Sequence, residues 1–348
     1  MALAKPLAVL GATGYTGRLV VERARELGLP LRLVGRRREA LEAMALAGDE
    51  LRVADARDGR ALREAFDGAF AVASLAGPFL QTGDLPVAAA IDQRVHYLDT
   101  SGEQAFAKLV YERYSGRAEA NEVVALTSFG FDYVPGDLAA RLAAEGLEPL
   151  DEVLAAYSVS SMAASAGTRT TVGHVMQQPQ VVWEGGRLIE SRFGASTRRV
   201  KFPFGERTVV EWSGTEPLTV PRHTQTRRVR SYVRAPKGAA RTARIARLAA
   251  PLIRLSGRIG HGPSAERRAR TTFAVVAEAR GPKGARRVTL TGRDVYGLTA
   301  SLIAHGAAAL WAGEARGVGT LAPAEAFDAR GLVERLRPLV RIESEETL

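Results

Sequence analysis

The chain contains no cysteine, which excludes disulfides, thiolate metal sites and a Cys nucleophile together. Its five histidines are well separated and no His-Glu-x-x-His pair occurs, so no metal site is expected. Aromatic residues make up only 6% of the composition. They are nearly absent from the most basic stretch, which argues against a surface that stacks nucleic-acid bases. No run reaches the roughly 18 uncharged apolar residues of a membrane span, because Arg, Asp or Glu interrupts each one. The opening residues lack a basic segment followed by an apolar one and a cleavage site. A cytoplasmic location is the expectation, with peripheral membrane association left open.

What is present is an ordinary folded composition. At 348 residues, with 46% hydrophobic and 25% charged, the chain is long enough for two domains of roughly 150 residues and a sizeable core. Its charge is uneven. The whole chain has 48 Lys and Arg against 38 Asp and Glu, a formal +10. Residues 222–270 alone hold fourteen Lys and Arg and one acid, Glu266, a net of +13, which leaves −3 for the remainder. The basic excess is therefore a local property.

Short apolar runs alternate with helical patterns over the first 135 residues. Leu7 to Leu10, Leu31 to Val34, Leu51 to Val53, Phe70 to Leu75, His96 to Leu98 and Val123 to Leu126 have the character of strands buried on both faces. Helical patterns occupy Tyr15 to Leu27, Arg38 to Leu46, Gly59 to Phe66, Leu85 to Gln93 and Glu103 to Tyr114. The alternation predicts an α/β fold, with a Rossmann-type doubly wound parallel sheet in residues 1–135. After Pro135 comes a helix at Asp137 to Glu145, and then strand-like runs dominate. These are Val153 to Val159, Val181 to Ile189, Arg207 to Trp212, and Thr272 to Ala279 with Arg287 to Thr291 around a Gly281-Pro282-Lys283-Gly284 turn. Residues 136–348 read as a second α/β domain with a mixed, antiparallel-rich sheet. Helices over Leu298 to Trp311 and Pro323 to Leu336 are expected to pack back onto the first domain.

The sharpest local signal is Gly11-Ala12-Thr13-Gly14-Tyr15-Thr16-Gly17, between the first strand and the first helix. Gly11 permits a tight turn, Gly14 lets backbone approach a pyrophosphate, and Gly17 allows close packing of helix on strand; the helix start offers N–H groups and a dipole to the phosphates. Thr13 and Thr16 add hydroxyl donors. About twenty residues on, where an NAD enzyme carries an acid for the ribose 2′-hydroxyl, the chain has Gly35-Arg36-Arg37-Arg38. Guanidinium groups suit a 2′-phosphate and an acid would repel it, so Arg36 and Arg37 predict NADP as the cofactor. Asp55 ends the third strand, either within reach of an adenine amino group or as a helix cap. Gly77-Pro78-Phe79 follows the fourth strand and Ser101 the fifth, at the carboxyl edge of the sheet where ligands gather.

Two familiar routes are missing. None of the eight tyrosines has a lysine four residues later, so the Tyr/Lys pair of short-chain dehydrogenases is absent. Reductases that work through a Cys nucleophile are excluded by composition. The order of four motifs then becomes informative: Gly11 to Gly17, Gly77-Pro78-Phe79, His96-Tyr97-Leu98-Asp99-Thr100-Ser101-Gly102-Glu103, and Gly130-Phe131-Asp132-Tyr133-Val134-Pro135-Gly136-Asp137-Leu138. Over about residues 5–140 this order resembles the saccharopine dehydrogenase-like family, and especially its trans-acting enoyl reductase branch. Tyr296-Gly297-Leu298-Thr299-Ala300 and Gly319-Thr320-Leu321-Ala322-Pro323 are similar to that family's C-terminal signatures. The resemblance implies an NADPH-dependent oxidoreductase that reduces a carbon–carbon double bond in a lipid- or polyketide-derived hydrophobic substrate. It equally covers C–N oxidoreductases of amino acid metabolism, and a non-catalytic NADP-binding regulator is a third reading.

Reducing an activated alkene gathers charge on its carbonyl oxygen and needs a proton donor within about 3 Å. The candidate catalytic residues are Tyr97 at the end of the fifth strand, Asp132 after the sixth, and His174 on a helix predicted from Thr170 to Gln178. Tyr296 is a further donor. Asp99 and Asp132 also suit a structural role, tying two loops together. In the basic segment, Arg241, Arg244, Arg247, Arg254 and Arg258 recur at helical spacing beside Ile245, Leu248, Leu252, Leu255 and Ile259. Such a helix is expected to meet an anionic membrane surface or an acyl carrier protein through 222–270, or to be a solvated helix on its own domain. The expected partner is a hydrophobic small-molecule or carrier-bound substrate and not nucleic acid, and an oligomer is compatible with the sequence.

Overall fold

The computed structural model describes residues 5–160, 178–235 and 262–348. The chain divides into two compact units, Met1–Phe131 with Tyr296–Leu321, and Asp132–Val295 with Ala322–Leu348. The first opens with β1 (Leu7–Leu10), α1 (Tyr15–Glu26), β2 (Leu31–Gly35), α2 (Arg38–Glu42), β3 (Glu50–Val53), α3 (Gly59–Phe66), β4 (Ala71–Ser74), α4 (Phe79–Thr82), α5 (Asp84–Asp92), β5 (His96–Asp99), α6 (Gln104–Ala120) and β6 (Val124–Leu126). The second supplies α7 (Val134–Ala144), β7 (Glu152–Val159), β8 (Gln180–Glu184), β9 (Arg187–Ser191), β10 (Thr197–Phe202), β11 (Gly205–Glu211), α8 (Glu216–His223), β12 (Arg228–Arg234), α9 (Ala265–Arg270), β13 (Thr272–Gly281) and β14 (Gly284–Arg293). The chain returns to the first unit through α10 (Val295–Trp311), from Tyr296 on, and β15 (Gly319–Thr320). It ends in the second with α11 (Pro323–Ala326), α12 (Ala329–Arg335) and β16 (Val340–Thr347).

The first unit is a parallel sheet of order β15-β6-β5-β4-β1-β2-β3. All four residues of β1 and of β4 are buried, as strands covered by helices on both faces must be. Because β1 lies between β2 and β4, the strand order reverses beside it, and ligands of open α/β sheets bind at such a switch point. A core of Phe66, Val72, Phe79, Tyr97, Phe106 and Tyr114 packs under α3, α5 and α6.

The second unit is a mixed sheet of order β10-β11-β12-β7-β13-β14-β16, with β8 and β9 branching from β12. Among the described strands of this sheet only β7 and β12 pair in parallel. The expected turn at 281–284 joins β13 and β14, which stay in register from Thr272 opposite Arg293 to Gly281 opposite Gly284.

Four expectations are corrected. The run Val181 to Ile189 is two strands, because Gly185 and Gly186 adopt φ of +61° and +83° and turn the chain into a hairpin as a two-residue loop of left-handed residues does. The helix expected over 323–336 is two short helices. Asp328 starts the second by accepting the Gly331 N–H at 2.6 Å, and both belong to the second unit while α10 belongs, from Tyr296, to the first. The helix expected over 38–46 ends at Glu42. The helix from 104 runs on to Ala120. The helix around His174 and the basic helix over 241–258 lie outside the described residues.

The second half of the Gly130 to Leu138 motif is structural. Asp137 is fully buried; one carboxylate oxygen lies 2.9 Å from His223 Nε2 and the other accepts the Ala324 N–H at 2.9 Å, joining α7 to α8 and α11. Burial pushes its pKa up, but His223, Thr219 and the Ala324 N–H outweigh this and hold it below the usual range. Beside it the buried Glu216 carboxylate lies 2.6 Å from both Tyr157 Oη and Ser231 Oγ. There is no room for a side chain at Gly136, where a Cβ would fall 2.2 Å from Glu216 Oε1.

Burial raises the Glu216 carboxyl from 4.5 to about 7. Between those values the native chain holds a proton that the unfolded chain lacks. The stabilisation is full below about pH 4.5 and lost as pH rises through about 7. Glu216→Gln removes this dependence. Urea unfolding at pH 5 and pH 8 is expected to show the native chain losing on the order of 2–3 kcal/mol more than the variant over that interval; parallel losses would contradict it.

Candidate functional site

The loop after β1 is built by close backbone contact. Gly11 takes φ +83°, and a Cβ on it would stand 3.2 Å from the Leu75 carbonyl carbon. The Gly14 N–H closes the turn onto Gly11 O at 2.9 Å. At Gly17 the room is gone altogether, since a Cβ there would fall 2.2 Å from Gly11 O and 2.8 Å from Ala12 O. Gly14 caps α1 without any side-chain hydrogen bond, and the first turn carries no acid. The start of α1 thus carries neither a capping side chain nor an acid that would repel an anion. Gly14 is exposed while Thr13, Tyr15 and Thr16 are half-buried around it. This cradle, which a Cβ at 17 would destroy, fits the pyrophosphate of a dinucleotide.

The neighbouring loops complete the carboxyl edge. Arg36 and Arg37, after β2, are exposed and have no carboxylate partner among the described residues, whereas Arg38 faces Glu42 at 3.8 Å. Asp55 is half-buried, and its Oδ1 accepts the Arg57 N–H at 2.9 Å. The helix cap is instead Asp58, which takes the N–H groups of Arg60 and Ala61. Gly77 is exposed after β4 and Pro78 half-buried. Phe79 is turned inward onto Phe106, ring centroids 5.6 Å apart, so its ring is a core residue and not a ligand contact. Ser101 is likewise buried, its Oγ accepting the Glu103 N–H at 3.1 Å.

Sequence reasoning missed Glu103. It is buried, and its carboxylate takes the N–H groups of Phe79 at 2.7 Å and Leu80 at 3.2 Å, which fixes the loop after β4. The signal was its place at the end of the fifth-strand motif. Asp99 plays the loop-tying role expected of it, accepting the N–H groups of Ser101 and Ser128 at 2.8 Å each. Burial lifts its carboxyl to about 6 despite those bonds.

The catalytic candidates do not converge in one unit. Tyr97 is fully buried within the first unit's core, where burial and then the Asp99 charge push its hydroxyl well above its ordinary pKa. It has no surface with which to meet a substrate. Asp132 opens the second unit and is exposed as a residue, while desolvation of its carboxyl by the surrounding protein pushes it up to about 6. His174 lies outside the described residues. The second unit also holds a cavity of about 320 Å³ lined by Arg198, Arg228, Arg230, Glu184 and Glu211. Arg230 bridges the two acids at 2.8 and 3.0 Å. Among the described residues no three His, Asp or Glu gather to hold a metal, and no helix is long and apolar enough to cross a membrane.

A family model described as NAD(P)H-binding matches residues 11–164. The chain is 32% identical over 152 residues to a saccharopine dehydrogenase-like oxidoreductase of Bos taurus, covering 38% of this chain and 35% of that one. It is 31% identical over 144 residues to a lipid droplet localized protein of Caenorhabditis elegans, covering 37% and 34%. It thus spans about a third of the length of these relatives. Its fold is that of the saccharopine dehydrogenase (L-Glu forming) of Saccharomyces cerevisiae, with a TM-score of 0.66 at 12% identity over 99% of this chain and 100% of the other. The match to the NAD(P)H-binding model supports a nicotinamide dinucleotide as cofactor. Over about 150 residues the chain is similar to saccharopine dehydrogenase-like oxidoreductases, and its fold is similar to that of the yeast enzyme.

Proposed function

We propose that the chain is an NADPH-dependent oxidoreductase. The observation that carries this reading is the glycine cradle after β1 together with two arginines after β2 that have no carboxylate partner among the described residues. In this reading the first N–H groups of α1, with the hydroxyls of Thr13 and Thr16, hold the pyrophosphate, and Arg36 and Arg37 hold the 2′-phosphate. The Asp55 Oδ2 takes the adenine amino group, while Gly77 and Pro78 leave room for the ribose. When bound, the cofactor supplies a hydride. Asp132 is the proton donor, since its pKa near 6 and open side keep a protonated fraction available near neutral pH.

The motif order supports a carbon–carbon double bond, as in the trans-acting enoyl reductase branch, and a relative localized to lipid droplets is compatible with a lipid-derived chain. The basic segment 222–270 would then meet an anionic membrane or an acyl carrier protein. One observation favours a second substrate class. The cavity lined by three arginines and two glutamates would take a small zwitterion by exchanging the Arg228–Glu184 and Arg230–Glu184 pairs for its carboxylate and ammonium, as a C–N oxidoreductase of amino acids requires. Following NADPH absorbance with 2-alkenoyl thioesters and, separately, with amino acid plus 2-oxo acid pairs distinguishes them. Oxidation by the first supports ene reduction and by the second C–N chemistry; cofactor binding without turnover in either leaves a regulator. Asp132→Asn is expected to lower kcat by about a hundredfold with NADPH affinity unchanged. An unchanged kcat would remove Asp132 from the chemistry.

A further inference from the structure

The loop after β4 is anchored from its inner side. Glu103 is only 2% exposed; one of its carboxylate oxygens accepts the Phe79 N–H at 2.7 Å and the other the Leu80 N–H at 3.2 Å. These are the first two N–H groups of α4, whose own cap residue, Pro78, offers no side-chain hydrogen bond. The Thr82 hydroxyl lies 2.5 Å from Ala76 O and 2.8 Å from Pro78 O, on either side of Gly77.

Glu103 is held in turn. Its N–H donates to Ser101 Oγ at 3.1 Å. The Ser101 N–H donates to Asp99 Oδ1, which also accepts the Ser128 N–H, at 2.8 Å each. Asp99, Ser101 and Glu103 are all buried. Phe79 follows β4, Ser101 follows β5 and Ser128 follows β6, so a chain of buried acceptors joins three successive loops of the carboxyl edge, all in the first unit.

The position of these loops gives the chain of acceptors its meaning. Free N–H groups at a helix start attract an anion, but at α4 the protein's own carboxylate already occupies them. Its effect is to fix the backbone of residues 76–80, within which Gly77 is exposed. A dinucleotide whose pyrophosphate rests on the loop after β1 extends one half toward β2 and β3 and the other toward β4. Arg36, Arg37 and Asp55 stand on the first side, and the anchored loop stands on the second.

We infer that Glu103 is a positioning residue for the nicotinamide half of the bound dinucleotide, holding the loop after β4 in its binding shape through two backbone N–H groups. This rests on the cofactor reading above and deepens it. A loop that is already ordered costs nothing further to order on binding, so its anchor adds affinity without touching the ligand. Ser101, buried and out of a ligand's reach, acts through Glu103.

Fluorescence titration with NADPH, and competition against it by 2′,5′-ADP, which carries the adenosine half but no nicotinamide, test this on the full chain. Glu103→Ala is expected to weaken NADPH about tenfold and 2′,5′-ADP by less than about twofold. Glu103→Gln keeps the side-chain volume and one acceptor oxygen, and is expected to lose about threefold for NADPH alone. Should Glu103→Ala fail to fold, Glu103→Gln and Ser101→Ala, which removes the acceptor of the Glu103 N–H, are expected to give the same pattern on a smaller scale. Equal weakening of both ligands would mark a merely structural residue and overturn the inference, as would native NADPH affinity in the Glu103 variants. A native chain that binds NADPH without competition from 2′,5′-ADP would overturn the placing of the two halves on which the inference stands. A native chain that binds neither ligand would overturn the cofactor reading itself.

Discussion

A Gly17→Val chain is expected to lose NADPH binding by more than about a hundredfold and to unfold earlier than the native protein. The reason is local. A Cβ at position 17 would fall 2.2 Å from Gly11 O, 2.8 Å from Ala12 O and 2.9 Å from Ala12 C. Every one of these is backbone, so no rotamer change relieves the clash. Gly11 and Ala12 must move, and both donate N–H groups to Val34 O from the cradle they form. Overpacking of this kind typically costs about 1–3 kcal/mol. Two comparisons show whether the effect is steric. Gly14→Ala places its Cβ 3.1 Å from Gly11 O, so it should be milder. Gly116 lies in α6 with nothing within 4 Å of a Cβ, and Gly116→Ala should stabilise the chain by about 0.5–1 kcal/mol with cofactor affinity unchanged. Titration and thermal unfolding of the three variants check this; native affinity in Gly17→Val would show that the loop does not hold the pyrophosphate.

The second large effect is on cofactor choice. Arg36→Ala with Arg37→Ala is expected to weaken NADPH binding about thirtyfold while leaving NADH within about threefold. Hydrogen bonds to charged groups contribute roughly 1.5–3 kcal/mol each when shielded. Both arginines are exposed, so the lower part of that range applies and the gap between cofactors should narrow with added salt. Equal losses for both cofactors would assign the arginines to folding or to general phosphate attraction and not to the 2′-phosphate.

Much of the first unit was legible because its strands are continuous apolar runs and its turns carry glycines at fixed offsets. Leu7 to Leu10 needs no tertiary information to read as a buried strand. Other elements carry little local signal. β15 has only two residues, and it exists because Gly319 and Thr320 pair with Val124 and Ala125 of β6. β16 is charge-rich: after the buried Val340, exposed and half-buried residues alternate to Thr347 at a sheet edge, and its charges hide its period. The glycine loop proposed to hold the nucleotide was legible for the same reason as the fold: its demands are on backbone, and glycine is their signature. The catalytic candidates were less so. Tyr97 has a polar tip at the right strand end, but strand residues alternate between faces, and only packing shows that this one enters the core with Phe106 and Tyr114. Tyr296 joins Tyr15 across some 280 residues of chain, a distance over which no spacing rule operates.

The most direct measurement is a fluorescence titration of the native chain with NADPH and with NADH at one ionic strength. A glycine cradle without an acid in its first turn, beside two arginines with no carboxylate partner among the described residues, predicts saturable binding of both, with NADPH bound at least about tenfold more tightly. Equal affinities, or a preference for NADH, would contradict it.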